Sequence, residues 1–597
     1  MPKQYRVWGL LTLLAMLLLL GTSGQAQSPY DASNYEQTMN QMIETGISIL
    51  RFEGGDLAVF RAVQESGDPL YIAPLIDLGY FMSRDATTQE MILATLEELT
   101  GQPMTIGWRG YFEWASANDI ALPPNYADFK GNLFGIFIDP QFRRFFQPGT
   151  QESARVNLLE AVWGGVRVDG IPSLVNARQI TPEAAAQEGV ELTQFCRGDD
   201  CSYPAGDELV FGVYLDGDAR AYPLRLLNWH EMFNDVIGQS PMRDTPDGDI
   251  VCNFRAPTVF RAIARSADKV LINGYSAGCP DEGWLSADAL EWVDSDWDTV
   301  ENALPDIESE AALDSEDSGI EGRVIGRPVM LAYCTLCGSG ILFDATIENL
   351  SYVDSAGETV EMGDVVLEFG STGMLMRSNK LMYDRDTDTV WNALTGEPAF
   401  GALANSDVLL DLLPVVVTDW ATWLEEHPNS SVLSLDTGYR RNYTNGAAYS
   451  DYFNNPEFVM FPVFQQDETL IDNKDMIFGL HLNGVDKAYS LEILIGEQVT
   501  NDSLGETDIV IISRATPDRE FFEPGGAAVR AYISDGIVFT SGATDNEIVD
   551  AEGNIWQMTE EALISADGQR LERLAGNLAF WFGWFSFYPD TLFYEGA

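Results

Sequence analysis

The stretch Val210-Phe211-Gly212-Val213-Tyr214-Leu215-Asp216-Gly217 returns later in the chain as Ile477-Phe478-Gly479-Leu480-His481-Leu482-Asn483-Gly484. Apolar residues alternate up to an Asp-Gly or Asn-Gly turn signal, which is the pattern of a β-hairpin. The echo continues beyond the turn. Ala221-Tyr222-Pro223-Leu224 is matched by Ala488-Tyr489-Ser490-Leu491, and Asn234-Asp235 by Asn501-Asp502 at the same offset. Further on, Val390-Trp391-Asn392 resembles Ile555-Trp556-Gln557, and Trp420 to Pro428 more weakly resembles Phe580 to Pro589. Two copies of a mostly β unit therefore follow one another, over about 205–435 and 472–597.

The copies differ where chemistry would sit. Copy one reads Asn228-Trp229-His230-Glu231-Met232-Phe233-Asn234-Asp235, whereas copy two has Glu497 at the position of His230. Copy one also carries Tyr333-Cys334-Thr335-Leu336-Cys337-Gly338-Ser339-Gly340 between two apolar runs, Val329–Ala332 and Ile341–Phe343. Copy two keeps the first run as Ile509–Ile512 but replaces the thiols around Arg514 to Pro517. Joint loss of His230, Cys334 and Cys337 is what one shared site predicts. Two thiols three positions apart serve either a metal knuckle or a reversible dithiol–disulfide couple. A thioredoxin-type pair opens a helix, and here Gly338-Ser339-Gly340 and an apolar strand follow instead. The turn reads as a knuckle.

Before the duplication, about Ser28 to Leu159 has helical periodicity. Asp68-Pro69 forms an N-cap and N1 pair, and Thr87 with Glu90 has capping-box spacing. The aromatic stretch Trp108 to Phe146 reads as a packing surface. At the start, Lys3 and Arg6 precede an apolar run, Val7 to Leu20, and then Gly24-Gln25-Ala26. That is the pattern of a signal peptide, with an uncleaved anchor as the alternative. The expectation is an extracytoplasmic protein (periplasmic, cell-surface or secreted) with no later transmembrane segment.

The fold class expected is α+β, a helical N-terminal domain followed by two related, mostly β units, the second degenerate. The domains run 1–26 (signal peptide), 27–165 (helical), 166–455 (copy one, with an acidic insertion at 237–327) and 460–597 (copy two). The 597 residues carry 92 acidic against 34 basic side chains, a formal net charge of −58. Such a surface repels nucleic acid and anionic lipid. Hydrophobic residues at 46% supply real cores.

The run from about Gly170 to Ser434 resembles the domain-of-unknown-function 3179 family of exported bacterial and archaeal proteins. The resemblance rests on Ala221-Tyr222-Pro223, Trp229-His230-Glu231, Asn234-Asp235, Tyr333-Cys334 through Cys337-Gly338, Phe369-Gly370-Ser371-Thr372-Gly373, Met382-Tyr383-Asp384-Arg385, Trp391 and Gly396-Glu397. Two departures are the acidic insertion and Thr335, where the family commonly has proline. The resemblance implies no established activity.

His230-Glu231 lacks the second histidine of a zinc protease, since Asn234 stands in its place. Cys334, Cys337 and His230 are candidate ligands for zinc, copper or iron, with Glu231 or one of Met374, Met376 and Met382 as a fourth. If the site is redox-active, Cys334 is the attacking thiol, Cys337 resolves and His230 tunes. Cys196 with Cys201, and Cys252 with Cys279, are expected to form structural disulfides, as befits an exported chain, with Cys252 or Cys279 joining the knuckle as a ligand as the alternative. The acidic run Asp281 to Glu321 lacks calcium-loop spacing. Asp384-Arg385-Asp386 reads as an ion-pair network before it reads as catalytic carboxylates. No phosphate-binding loop, serine-hydrolase elbow or dinucleotide fingerprint is present. Three readings stay open: a metal-binding protein, a thiol–disulfide oxidoreductase, and a non-catalytic scaffold with a structural Cys334–Cys337 link. The helical domain is a candidate surface for a protein partner.

Overall fold

The structure is a computed structural model. It describes residues 30–188, 203–463, 467, 469–517 and 525–596, less 216, 238–241, 247–249, 253–258, 268, 274–279, 281, 288–289, 293–296, 306–319, 325 and 355–356. Two compact units divide the chain, residues 1–133 and 134–597. The whole is mixed α+β, with a helical N-terminal region followed by mostly β structure.

In the first unit, α1 (Tyr35–Leu50), α2 (Ala58–Ser66), α3 (Ile72–Phe81), α4 (Ala86–Thr100) and α5 (Gly107–Ser116) pack together. The Asp68 carboxylate accepts from Leu70 N–H ahead of α3, as the Asp-Pro pair predicts. Helix α4 corrects the other expected cap. It starts two residues earlier than the Thr87 capping box requires, because Asp85 accepts from Thr88 N–H at 2.8 Å. A carboxylate is also the better acceptor at a positive helix end. The aromatic residues Tyr111, Phe112, Tyr126 and Phe129 are buried packing residues. Lys130 and Asp77 form a buried ion pair at 3.0 Å. No helix among the described residues is long and apolar enough to cross a membrane.

In the second unit, β1 (Leu209–Leu215) and β2 (Asp218–Pro223) form the expected hairpin. Helix α6 (Leu224–Leu227) leads to β3 (Met232–Ile237). Strands β4 (Arg327–Cys334) and β5 (Ser339–Asp344) follow, and β3 and β5 flank β4 in antiparallel pairing. Then come β6 (Phe369–Met376), β7 (Asn379–Asp384), β8 (Val416–Asp419), α7 (Trp420–Glu426) and β9 (Ser431–Leu433). Strand β8 lies antiparallel on β1, while β9 lies parallel on β2.

Copy two repeats this plan. Its hairpin is β10 (Met476–Leu482) and β11 (Val485–Ser490), leading through α8 (Leu491–Glu497) to β12 (Val499–Leu504), β13 (Thr507–Ala515) and β14 (Ala527–Ile533). Strand β15 (Gly576–Phe580) pairs antiparallel with β10, helix α9 (Trp581–Phe585) follows, and β16 (Leu592–Tyr594) pairs parallel with β11. Strand for strand, β15-β10-β11-β16 matches β8-β1-β2-β9.

Internal hydrogen bonds repeat as well. Asn234 exchanges two bonds with the Phe369 backbone, and Asn501 does the same with Phe539. Tyr222 donates to Asp235 and Tyr489 to Asp502. The indole of Trp391 donates to Asp384 and that of Trp556 to Asp550. Each of these satisfies a buried polar group that would otherwise be costly.

The described residues of the insertion form a seven-stranded sheet around Met242, Phe260, Ala262, Val270, Ile272 and Leu285. Apolar residues alternate along these strands and meet on one face, which a count of charges over the whole insertion does not reveal.

Gly212 and Gly479 exist for one reason. An added Cβ would lie 2.4 Å from the Trp423 ring and 2.3 Å from the Trp584 ring respectively. Both indoles are fully buried and cannot retreat. Gly479→Ala is therefore expected to lower unfolding stability by about 1–3 kcal/mol through overpacking, read as a lower urea midpoint at unchanged slope. Gly217→Ala, at φ +83° with nothing within 4 Å, shows the size of left-handed backbone strain, which Gly479 does not carry.

Candidate functional site

Cys334 ends β4 and Ser339 opens β5, and the two are paired across the hairpin. Thr335 to Gly338 is thus a tight turn, and Gly338 takes φ +60°, the left-handed conformation glycine adopts without penalty. A strand follows the turn, as the sequence implies, so the cysteine pair does not itself open a helix. Local hydrogen bonds act instead. Burial pushes the Cys334 thiol up, but a hydrogen bond from Cys337 and the backbone amides of Cys337, Lys380 and Leu336 outweigh it, leaving Cys334 below the usual thiol range. Burial and the neighbouring Cys334 hold Cys337 well above that range.

Three segments close over the cysteine turn. The hairpin between β6 and β7 turns through Arg377 and Ser378, both at positive φ, and aims the Ser378 carbonyl at Cys337 Sγ, 3.0 Å away. From copy two, Phe580 N–H donates to the Cys337 carbonyl at 2.7 Å. Gly583 lies so close that a Cβ there would sit 2.9 Å from Cys337 Cβ. Tyr452 O–H donates to the Leu336 carbonyl at 2.7 Å, with Lys474 Nζ 3.4 Å above the Tyr452 ring centroid. Burial lowers the Lys474 pKa to about 8. Both cysteines are buried and not in a disulfide.

His230 and Glu231 stand beside this turn in different ways. His230 Nδ1 lies 3.0 Å from the Pro172 carbonyl, and Nε2 lies 2.6 Å from Tyr443 O–H, which in turn contacts Thr437 Oγ1. These partners fix the neutral tautomer: Nδ1–H donates and Nε2 accepts. Burial, helped by Arg441, lowers the His230 pKa to about 4 against the opposing effect of the Pro172 carbonyl. The His230, Cys334 and Cys337 ligand atoms do not all fall within 4.8 Å of one another, and neither do those of Glu231 and the two sulfurs. Glu231 instead meets Lys380, a partner without any sequence signal, in a buried ion pair. Its backbone carbonyl accepts from Tyr333 N–H at 2.8 Å, which ties it to the cysteine strand. Burial pushes the Lys380 pKa well down.

Of the other candidate residues, Met374, Met376 and Met382 are buried, and Met382 shares a core with Met232 and Trp391. The Asp384-Arg385-Asp386 trio is structural at its first two members. Asp384 accepts from Trp391 and Thr387, and Arg385 pairs with Asp169 and Glu368. Cys196, Cys201 and Cys279 lie outside the described residues. Cys252 is described only as the end of strand Ile250–Cys252.

A second group, invisible to sequence, lies between the copies. Glu426, His427 and Glu560 bring ligand atoms within 4.8 Å of one another and could hold a metal ion. They border a cavity of about 270 Å³ that Tyr214 and Met558 also line. Arg530 donates to Glu426 at 2.8 Å and to Glu560 at 2.5 Å, and Arg573 also pairs with Glu560. Although Glu560 is buried, these two guanidiniums hold its carboxyl well below the usual range. Two arginines thus already neutralise the two carboxylates, and the group reads first as an ion-pair lock joining α7 to copy two.

The sequence pattern of a family described as "Protein of unknown function (DUF3179)" matches residues 168–245 and 320–591. It therefore spans both copies and passes over most of the insertion. No curated protein matches the chain.

The His230 geometry predicts a pH dependence. Its folded pKa of about 4 lies below the free value of 6.5, so the unfolded chain binds the extra proton first. The neutral ring's contribution is complete above about pH 6.5 and lost as pH falls through about 4, up to about 3 kcal/mol. The stability difference between wild type and His230→Gln, from urea unfolding, is expected to shrink by that amount between pH 7 and pH 4. An unchanged difference would show that His230 is not held neutral.

Proposed function

From the premise that this chain belongs to the domain-of-unknown-function 3179 family, we propose that Cys334 and Cys337 act as a reversible dithiol–disulfide couple in an exported protein. The observation that carries this reading is the hairpin turn that holds two buried, unlinked thiols together, with the backbone amides of Leu336, Cys337 and Lys380 directed at Cys334 and the Ser378 carbonyl 3.0 Å from Cys337 Sγ. A nucleophilic thiolate beside a protonated resolving thiol is what exchange needs.

The Cys334 thiolate attacks one sulfur of a substrate disulfide. A mixed disulfide forms, and the other substrate sulfur leaves as a thiolate. That thiolate takes the Cys337 proton, Cys337 attacks Cys334 Sγ, and the second substrate thiolate departs. Two electrons pass from the cysteine pair to the substrate. Burial beneath Tyr452 and Gly583 favours a small disulfide, or a protein disulfide admitted by opening of that cover. The pattern at residues 1–26, which lies outside the described residues, supports export to an oxidising compartment where such a couple has a task.

A second reading uses the same atoms. A CxxC turn with amide donors to sulfur and a left-handed glycine is also how a zinc, copper or iron ion is gripped. His230 has both nitrogens engaged elsewhere, so that site would draw further ligands from the Ser378 carbonyl or from outside the chain. The scaffold reading leaves the pair as a fixed link.

One experiment separates the three. Full-length mature protein, purified without chelator, is assayed for metal and then equilibrated in glutathione buffers, with the cysteines trapped by alkylation and read by mass spectrometry. The couple predicts no stoichiometric metal and a single two-electron transition across the buffer series. It also predicts that Cys337→Ser accumulates a glutathione adduct on Cys334, whereas Cys334→Ser accumulates none. About one metal ion per chain, lost in the double serine variant, establishes the metal site instead. A pair that stays oxidised at every potential establishes the structural link.

A further inference from the structure

Glu231 and Lys380 pose a problem that an ordinary ion pair does not solve. Glu231 directly precedes β3 and Lys380 lies on β7, on strands of two different sheets. Both side chains are only 6% exposed. Lys380 Nζ and Glu231 Oε2 are in direct contact, and neither atom has a hydrogen-bond partner elsewhere. An ammonium offers three donors and a carboxylate about four acceptor sites, and buried ions are tolerated when those sites are filled. Here a single contact would carry the whole burden. Other buried pairs in this protein are better supported: Asp77 also accepts from Tyr126, and Glu208 receives two bonds from Arg225 and one from Ala205 N–H.

We propose that Lys380 and Glu231 are joined by an amide bond between Nζ and Cδ, an internal cross-link that ties the hairpin above the cysteines to the strand beside them. An amide carries no charge and asks for fewer partners than an ammonium and a carboxylate, so it suits a buried position better than the separate ions do.

The chemistry needs no other reagent. Lys380 passes its proton to Glu231, and a neutral amine then faces a carboxylic acid. Both side chains are 6% exposed, and a neutral amine and acid are the forms that such a buried site accommodates at least cost. The nitrogen lone pair attacks Cδ and the N–Cδ bond forms. The Cδ–OH bond breaks with its electron pair, and the hydroxide leaves with the amine proton as water. No oxidation state changes. The loss of one water is about 18 Da, a covalent change distinct from any effect of the thiols. The link is also independent of whether Cys334 and Cys337 cycle.

The structural consequence is local. Lys380 supplies a backbone amide to Cys334, and its hairpin supplies the Ser378 carbonyl to Cys337. A covalent tie at Lys380 holds both donor and acceptor in register with the sulfurs.

Peptide mapping of the unfolded, reduced, alkylated full-length protein tests the bond. Trypsin cannot cleave at an acylated lysine. The expected result is therefore Ser378–Arg385 uncut at Lys380 and attached to Leu226–Arg243, at the sum of their masses less about 18 Da. Recovery of Leu226–Arg243 alone, with cleavage after Lys380, overturns the proposal. Lys380→Met keeps an unbranched apolar stem and removes the nucleophile. Its Leu226–Arg243 peptide is expected at full mass, and a persisting 18 Da loss there would place the dehydration elsewhere and also overturn it. The wild-type map stands on its own where the variant does not fold.

Discussion

The antiparallel register of β4 between β3 and β5 is the constraint on which the rest of this site depends. Met330 faces Asn234 and Cys334 faces Ser339, so the chain must reverse within the residues from Thr335 to Gly338. A reversal that short turns amides inward, and those amides are what Cys334 collects. Shifting the register by one residue would send both thiols to the opposite face and break the Tyr333–Glu231 bond as well. The turn therefore cannot be treated as a loop added to a finished sheet. Its geometry is the sheet's own geometry at the end of two strands.

Duplication explains why the surroundings are so well held. The paired hydrogen bonds of Asn234 and Asn501, and of Trp391 and Trp556, show that the second copy kept the devices that satisfy buried polar groups. Counting from the Asn pairings, Met330 opposite Asn234 and Val510 opposite Asn501, places Arg514 where copy one has Cys334 and Pro517 where it has Cys337. Proline has no amide to donate and arginine offers no acceptor, so copy two cannot rebuild the turn chemistry. What it does instead is cover copy one. Phe580 and Gly583, from the counterpart of the β8–α7 corner, close directly on Cys337.

Much of this was legible in the chain. The hairpins, the duplicated plan and the strand–turn–strand setting of the thiols follow from period-two apolar patterns and Asp-Gly or Asn-Gly signals. The cap of α4 was misplaced by two residues, since Thr87-x-x-Glu90 and Asp85-x-x-Thr88 both offer an acceptor and the carboxylate is the stronger one at a positive helix end. The insertion's core was hidden by a count of acidic residues that says nothing of which positions alternate inward. The Glu231–Lys380 contact and the Glu426, His427, Glu560, Arg530 and Arg573 group left no trace in the sequence, because their members come from segments far apart along the chain.

By itself, then, the sequence determined what depends on near neighbours: which runs are strands, where they turn, that the unit occurs twice, and that two thiols share one turn. Local torsional preferences and side-chain period act over a few residues and can be read there. Tertiary structure alone decided which groups meet. It turned His230 toward the Pro172 carbonyl and Tyr443, brought Lys380 to Glu231 rather than to solvent, and laid copy two over the sulfurs. Those encounters depend on strand register and sheet packing, where one residue of slip inverts every side chain. No local pattern encodes that sum of distant choices.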